Sequence, residues 1–98
     1  LSEFKSRLKP IYGERLKGLV LFGSWARNEA ADDSDIDVAV VLDGPVKPGL
    51  EIDQMIDVIT DINLEANVLL SVYPVSEDDF RNRKSPLLIN IRKEGINA

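Results

Sequence analysis

Two short clusters in this chain carry the residue types that handle phosphate: Gly23-Ser24 and, after a ten-residue spacer, Asp35-Ile36-Asp37. A glycine that follows a buried strand and opens a helix lets the backbone approach a ligand. The Ser24 hydroxyl and the amides after it then face outward as a phosphate cradle. The same dipeptide also serves as a tight turn into a capped helix. Carboxylates two apart on a strand project from one face, where paired negative charges are unfavourable unless something offsets them. Mg²⁺ does so, using one or two carboxylates, several waters and the oxygens of a substrate phosphate. A solvated, acidic strand start is the other reading, and it suits Asp32 and Asp33. Taken together, the clusters would set a metal beside a phosphate at one sheet edge. Metal-assisted phosphoryl or nucleotidyl transfer needs that arrangement, and it needs no histidine.

Composition narrows the chemistry in the same direction. The 98 residues include no cysteine and no histidine, which removes thiol catalysis, the Ser-His-Asp triad and the usual zinc ligands. Seventeen acidic residues against 12 basic ones leave a net charge of −5, a poor match for a surface that grips nucleic acid. No apolar run approaches the ~20 residues needed to cross a bilayer. The opening Leu1-Ser2-Glu3-Phe4-Lys5 lacks the basic-then-apolar order of a signal peptide, so the cytoplasm is the expected location. With 44% hydrophobic and 30% charged residues, no repeat and no low-complexity segment, residues 1–98 are expected to form a single globular domain.

The elements that would carry these clusters follow from periodicity. Phe4, Leu8 and Ile11 predict a first helix from Ser2 to Tyr12, kinked or shortened by Pro10 and stopped at Gly13. Leu19 to Phe22 reads as a buried strand, Ser24 to Ala30 as a short helix capped by Ser24, and Ala31 to Ser34 as a polar turn. Ile36 to Leu42 is the strongest β signal. Leu50 to Ala66 has a helical stripe at residues 52, 55, 56, 59 and 62. Asn67 to Tyr73 is β-prone and ends at Pro74. Helices are predicted from Ser76 and over Ser85–Glu94, the second stopping at Gly95. The apolar residues Leu87, Leu88, Ile91 and Ile96 at that end exceed what one small sheet face needs, which points to a protein interface or simply to core. Arg81-Asn82-Arg83-Lys84 reads as a solvated basic cluster. The order predicts an α+β (α/β) fold, a small mixed sheet of three to four strands with helices packed on it.

Gly23-Ser24, the spacer and Asp35-Ile36-Asp37, within the fuller string Leu21-Phe22-Gly23-Ser24-Trp25-Ala26-Arg27, resemble the minimal nucleotidyltransferases of the DNA polymerase β superfamily. The resemblance covers Leu16 to Leu42 in detail, and the later elements follow in the same order. It implies a polymerase-β-like fold with Asp35 and Asp37 as catalytic, Mg²⁺-binding residues, and with Gly23 and Ser24 holding the terminal phosphates of ATP. Arg27 would reach the triphosphate or lie solvated on the short helix. Trp25 is expected to pack on the sheet, and Asn28 stands where family members often have glycine. Small members pair with a helical HEPN-type toxin, so a protein partner and an antitoxin role are implied, with AMP passing to a partner hydroxyl. Self-association stays open. Catalytic members also carry a third carboxylate on the neighbouring strand. Here the segment between Glu65 and Glu77 has no acidic residue, and Glu65 is expected to end the preceding helix. A module that neutralises its partner by contact alone is the competing implication.

Overall fold

The chain, described from a computed structural model over residues 1–28 and 35–98, builds three layers around one sheet. In order, α1 (Ser2–Tyr12) leads through a 3₁₀ turn to β1 (Leu16–Phe22), α2 (Gly23–Ala26), β2 (Ile36–Leu42) and α3 (Pro48–Ala66). Then come β3 (Leu70–Ser76), α4 (Glu77–Asn82), α5 (Pro86–Glu94) and β4 (Ile96–Asn97). The strand order is β3-β2-β1-β4. β1 runs antiparallel to β2 and to β4, whereas β2 and β3 are parallel and need α3 as their crossover. The sheet is therefore mixed and four-stranded.

β2 lies between β1 and β3 and is covered on both faces, which is why it reads as an almost unbroken branched apolar run. On one face Val38, Val40 and Leu42 pack with Phe4 and Leu8 of α1 and Met55 and Ile59 of α3. On the other, Ala39 and Val41 pack with Val20, Val75 and the α5 residues Leu88 and Ile91. Only two of the four terminal apolar residues are therefore core. Leu87 is 43% exposed, and Ile96, 50% exposed, belongs to β4 rather than to the helix.

α1 keeps its expected Ser2–Tyr12 bounds, not shortened by Pro10, while several other details differ from the sequence expectation for physical reasons. α1 continues two residues past Pro10. Pro10 is exposed, so water can serve the carbonyl its ring leaves unbonded, while Phe4, Leu8 and Tyr12 anchor the opposite face. Tyr12 replaces Ile11 in that stripe. Ser2 lies inside the helix and does not cap it. Likewise Ile56 of α3 turns outward, 47% exposed. β3 does not end at Pro74 but runs through it. The amide of Ile36 bonds the carbonyl of Leu69 at 2.8 Å. Odd-numbered β3 residues thus face β2, and Pro74 points its missing amide away from the ladder, where an edge strand tolerates it. Ser76 and Ser85, where the sequence predicts helix starts, cap α4 and α5, accepting from the amides of Asp79 at 3.1 Å and Leu88 at 3.2 Å. The basic cluster is solvated, with Arg81 and Arg83 pairing back to Glu77 and Asp79.

Among the described residues, one charged side chain is buried. Glu51, at the start of α3, is 5% exposed and accepts from the Tyr12 hydroxyl at 3.1 Å, with Arg15 3.8 Å away. Burial, then the Glu51 charge, pushes the Tyr12 hydroxyl up to about 12. Arg15 also bonds the carbonyls of Asp43 and Pro45, so this network ties the β2–α3 loop to the start of β1.

Candidate active site

The two sequence clusters meet where β1 ends and β2 begins. Register places Phe22 opposite Asp37, so the chain leaves β1 into α2 directly beside the aspartate. Gly23 adopts φ +73°, a region that L side chains rarely occupy. It also has no room for a side chain: a Cβ built there would overlap Asp37 Oδ2 and lie 3.1 Å from its Cγ. The glycine is required by conformation and by space together. Ser24 follows in α2, half-buried, and Phe22 rather than Ser24 occupies the cap position. Asn28 has φ +59°, a backbone that asparagine tolerates best after glycine. α2 ends at Ala26, and Arg27 and Asn28 form a turn, so the helix stops short of the expected Ala30, because the positive φ of Asn28 cannot continue it. Glu29 and Ala30 and the expected polar turn over 31–34 lie outside the described residues.

Asp37 is half-buried and Asp35, just before β2, is exposed. Asp37 alternates with Ala39 and Val41, so it stands on the α5 face of the sheet, and Asp35 shares that parity. On the parallel neighbour, Ser71 is in register with Asp37 and Tyr73 with Ala39. The position facing Asp37 on β3 is thus an exposed hydroxyl. Glu65 is at the end of α3, 3.8 Å from Arg7, and takes no part. Among the described residues no cluster of three or more acidic, His or Cys side chains forms. The available donors are the carboxylates of Asp37 on that face and of Asp35 just before the strand. That fits a hard divalent ion completed by waters and phosphate oxygens, not a closed protein cage.

Arg27 comes back to the site. It and Gly23 line a cleft of about 220 Å³ floored by Phe22, with α5 as the opposite wall. Across the cleft the Arg27 guanidinium lies 3.4 Å from Glu94. Trp25 is 39% exposed, so its ring is only partly covered. A larger cavity of about 470 Å³ lies between the Asp43–Pro45 loop and α4. It is at the opposite end of β2, ~20 Å along the strand from Asp37, and is separate from this chemistry. Sequence reading missed Glu94, which is 67 positions from Arg27; no local pattern could have paired them.

The family model described as "Nucleotidyltransferase domain" matches residues 1–95. A protein of Methanocaldococcus jannaschii named putative protein adenylyltransferase is 34% identical over 83 residues, covering 85% of this chain and 77% of that one. Among solved structures, a toxin-antitoxin with AMP-PNP superposes with a TM-score of 0.66 at 16% identity, over 97% of this chain and 69% of the other. A mutant of the MntA-HpeT toxin-antitoxin superposes with a TM-score of 0.64 at 13% identity, over 99% of this chain and 70% of the other. At those identities the structures speak for the fold, and the sequence matches speak for the family. The chain belongs to the nucleotidyltransferase domain family and is a nucleotidyltransferase.

Proposed function

We propose that this chain transfers AMP from ATP to a hydroxyl of a protein partner, with Mg²⁺, as the antitoxin half of a HEPN-type toxin-antitoxin pair in the cytoplasm. The observation that carries the reading is the contact between Gly23 and Asp37, which couples the phosphate turn to the carboxylate strand in one site. The name of the M. jannaschii relative supports protein adenylylation, and the toxin-antitoxin structures, one with AMP-PNP, support a partner and a nucleotide. Described helices are too short or too polar to cross a membrane.

In this reading Asp35 and Asp37 would hold Mg²⁺, which would supply positive charge to offset the charge that builds on the phosphates. Gly23 keeps the backbone close to Asp37, and Ser24 and Arg27 hold the terminal phosphates. An acceptor hydroxyl attacks the α-phosphorus as its proton passes to water, the bond to the bridging oxygen breaks, and pyrophosphate leaves. Ser71 is no general base at neutral pH, so acceleration rests on positioning the acceptor beside the phosphate.

Intact mass spectrometry of a co-expressed helical partner, after incubation with ATP and Mg²⁺, tests this. The expected result is a gain of one or more adenylyl units, absent with the Asp35→Asn, Asp37→Asn double variant. The hydroxyl facing Asp37 favours a second reading, neutralisation by contact alone. A stable complex with no mass gain would establish that instead.

A further inference from the structure

The Arg27–Glu94 pair sits at the mouth of the cleft that opens onto Gly23, with Nη1 3.4 Å from Oε2 and the side chains 43% and 38% exposed. Glu94 is held there by its neighbours on both sides. Before it, Leu88 and Ile91 are buried, and Arg92 bonds the carbonyls of Phe80 at 2.7 Å and Arg83 at 2.8 Å. After it, a Cβ on Gly95 would overlap the Ile91 carbonyl and Val20, so the chain turns tightly there into β4, paired with β1. A carboxylate at the end of α5 also meets the negative pole of that helix, which disfavours it. The Arg27 guanidinium offsets that charge.

We infer that Glu94 is a built-in competitor for the phosphate-binding arginine, exchanging Arg27 with the nucleotide's phosphates and so setting nucleotide affinity. The inference rests on the proposed nucleotide reading. A triphosphate seated on Gly23-Ser24 needs the same guanidinium that Glu94 holds. Binding therefore trades one ion pair for another, and Glu94 recaptures Arg27 when pyrophosphate departs. Because the pair is partly exposed, its worth is that of a surface ion pair, which corresponds to about two- to fivefold in affinity.

The test is a calorimetric titration of AMP-PNP with Mg²⁺ into the native chain, Glu94→Gln, Arg27→Gln and the double variant. A parallel titration uses inorganic pyrophosphate. Glu94→Gln should bind both probes about two- to fivefold tighter, Arg27→Gln should bind more weakly, and Glu94→Gln should add nothing in the Arg27→Gln background. Unchanged or weaker binding by Glu94→Gln, with Arg27→Gln still impaired, overturns the inference and leaves the nucleotide reading intact. An equal gain in both backgrounds overturns it too, because a bulk charge effect would then suffice. If Arg27→Gln binds like the native chain, the competition has no object and the inference fails. The Asp35→Asn, Asp37→Asn variant then reports separately on the nucleotide reading.

Discussion

Replacing Gly23 with alanine perturbs the site at the point where its two halves touch. The φ of +73° costs a non-glycine residue about 1–2 kcal/mol. The new Cβ also overlaps Asp37 Oδ2, and swinging that side chain off its rotamer costs about 0.5–1.5 kcal/mol more. The total, roughly 1.5–3.5 kcal/mol, contains one part that depends on Asp37 and one that does not. In an Asp37→Ala background only the backbone part remains, since the added methyl would stand 3.3 Å from the Asp37 Cβ, a contact that a small shift relieves. Urea denaturation of the native chain, both single variants and the double variant gives the coupling directly. The expected coupling is about 0.5–1.5 kcal/mol, with the double variant more stable than additivity predicts. Additive losses would refute the contact. The same Gly23→Ala variant should lose nucleotide binding by tenfold or more, roughly, because Asp37 is displaced.

Ser71→Asp places a carboxylate in register with Asp37. Like charges on facing strands should lower the melting temperature without Mg²⁺, and added Mg²⁺ should restore it. Transfer should rise by about tenfold or more in a turnover assay, equivalent to ~1.4 kcal/mol of barrier. Tyr12→Phe should cost about 1 kcal/mol at neutral pH by removing the bond to Glu51. It should also remove a pH dependence. The folded hydroxyl is raised to about 12 from 10.0, so its contribution is full below pH 10.0 and is lost as pH rises toward 12. The native chain should therefore shed up to about 2–3 kcal/mol over that window relative to Tyr12→Phe, measured by chemical denaturation at each pH.

Local chemistry made much of this fold readable. The branched run from Ile36 to Leu42 could only be a buried strand, and Ser76 and Ser85 marked helix starts because each has an amide three residues on to accept from. What stayed hidden depends on partners distant in sequence. Pro74 reads as a strand stop unless the strand is known to be an edge with its odd residues turned inward. The two-residue β4 carries no periodicity at all; its pairing with β1 comes from where α5 delivers it. At the site, the glycine turn and the aspartate pair were each legible from spacing, but their contact follows from the Phe22–Asp37 register. The ion pair across the cleft follows from α5 packing, which no spacing encodes.

The central claim is that the Gly23 turn and the Asp35/Asp37 pair form one nucleotide site. Calorimetric titration of AMP-PNP, with and without Mg²⁺, into the native chain and the Asp35→Asn, Asp37→Asn double variant tests it most directly. The account predicts Mg²⁺-dependent binding to the native chain and none of that dependence in the double variant. Equal binding by both chains, or binding indifferent to Mg²⁺, would contradict it.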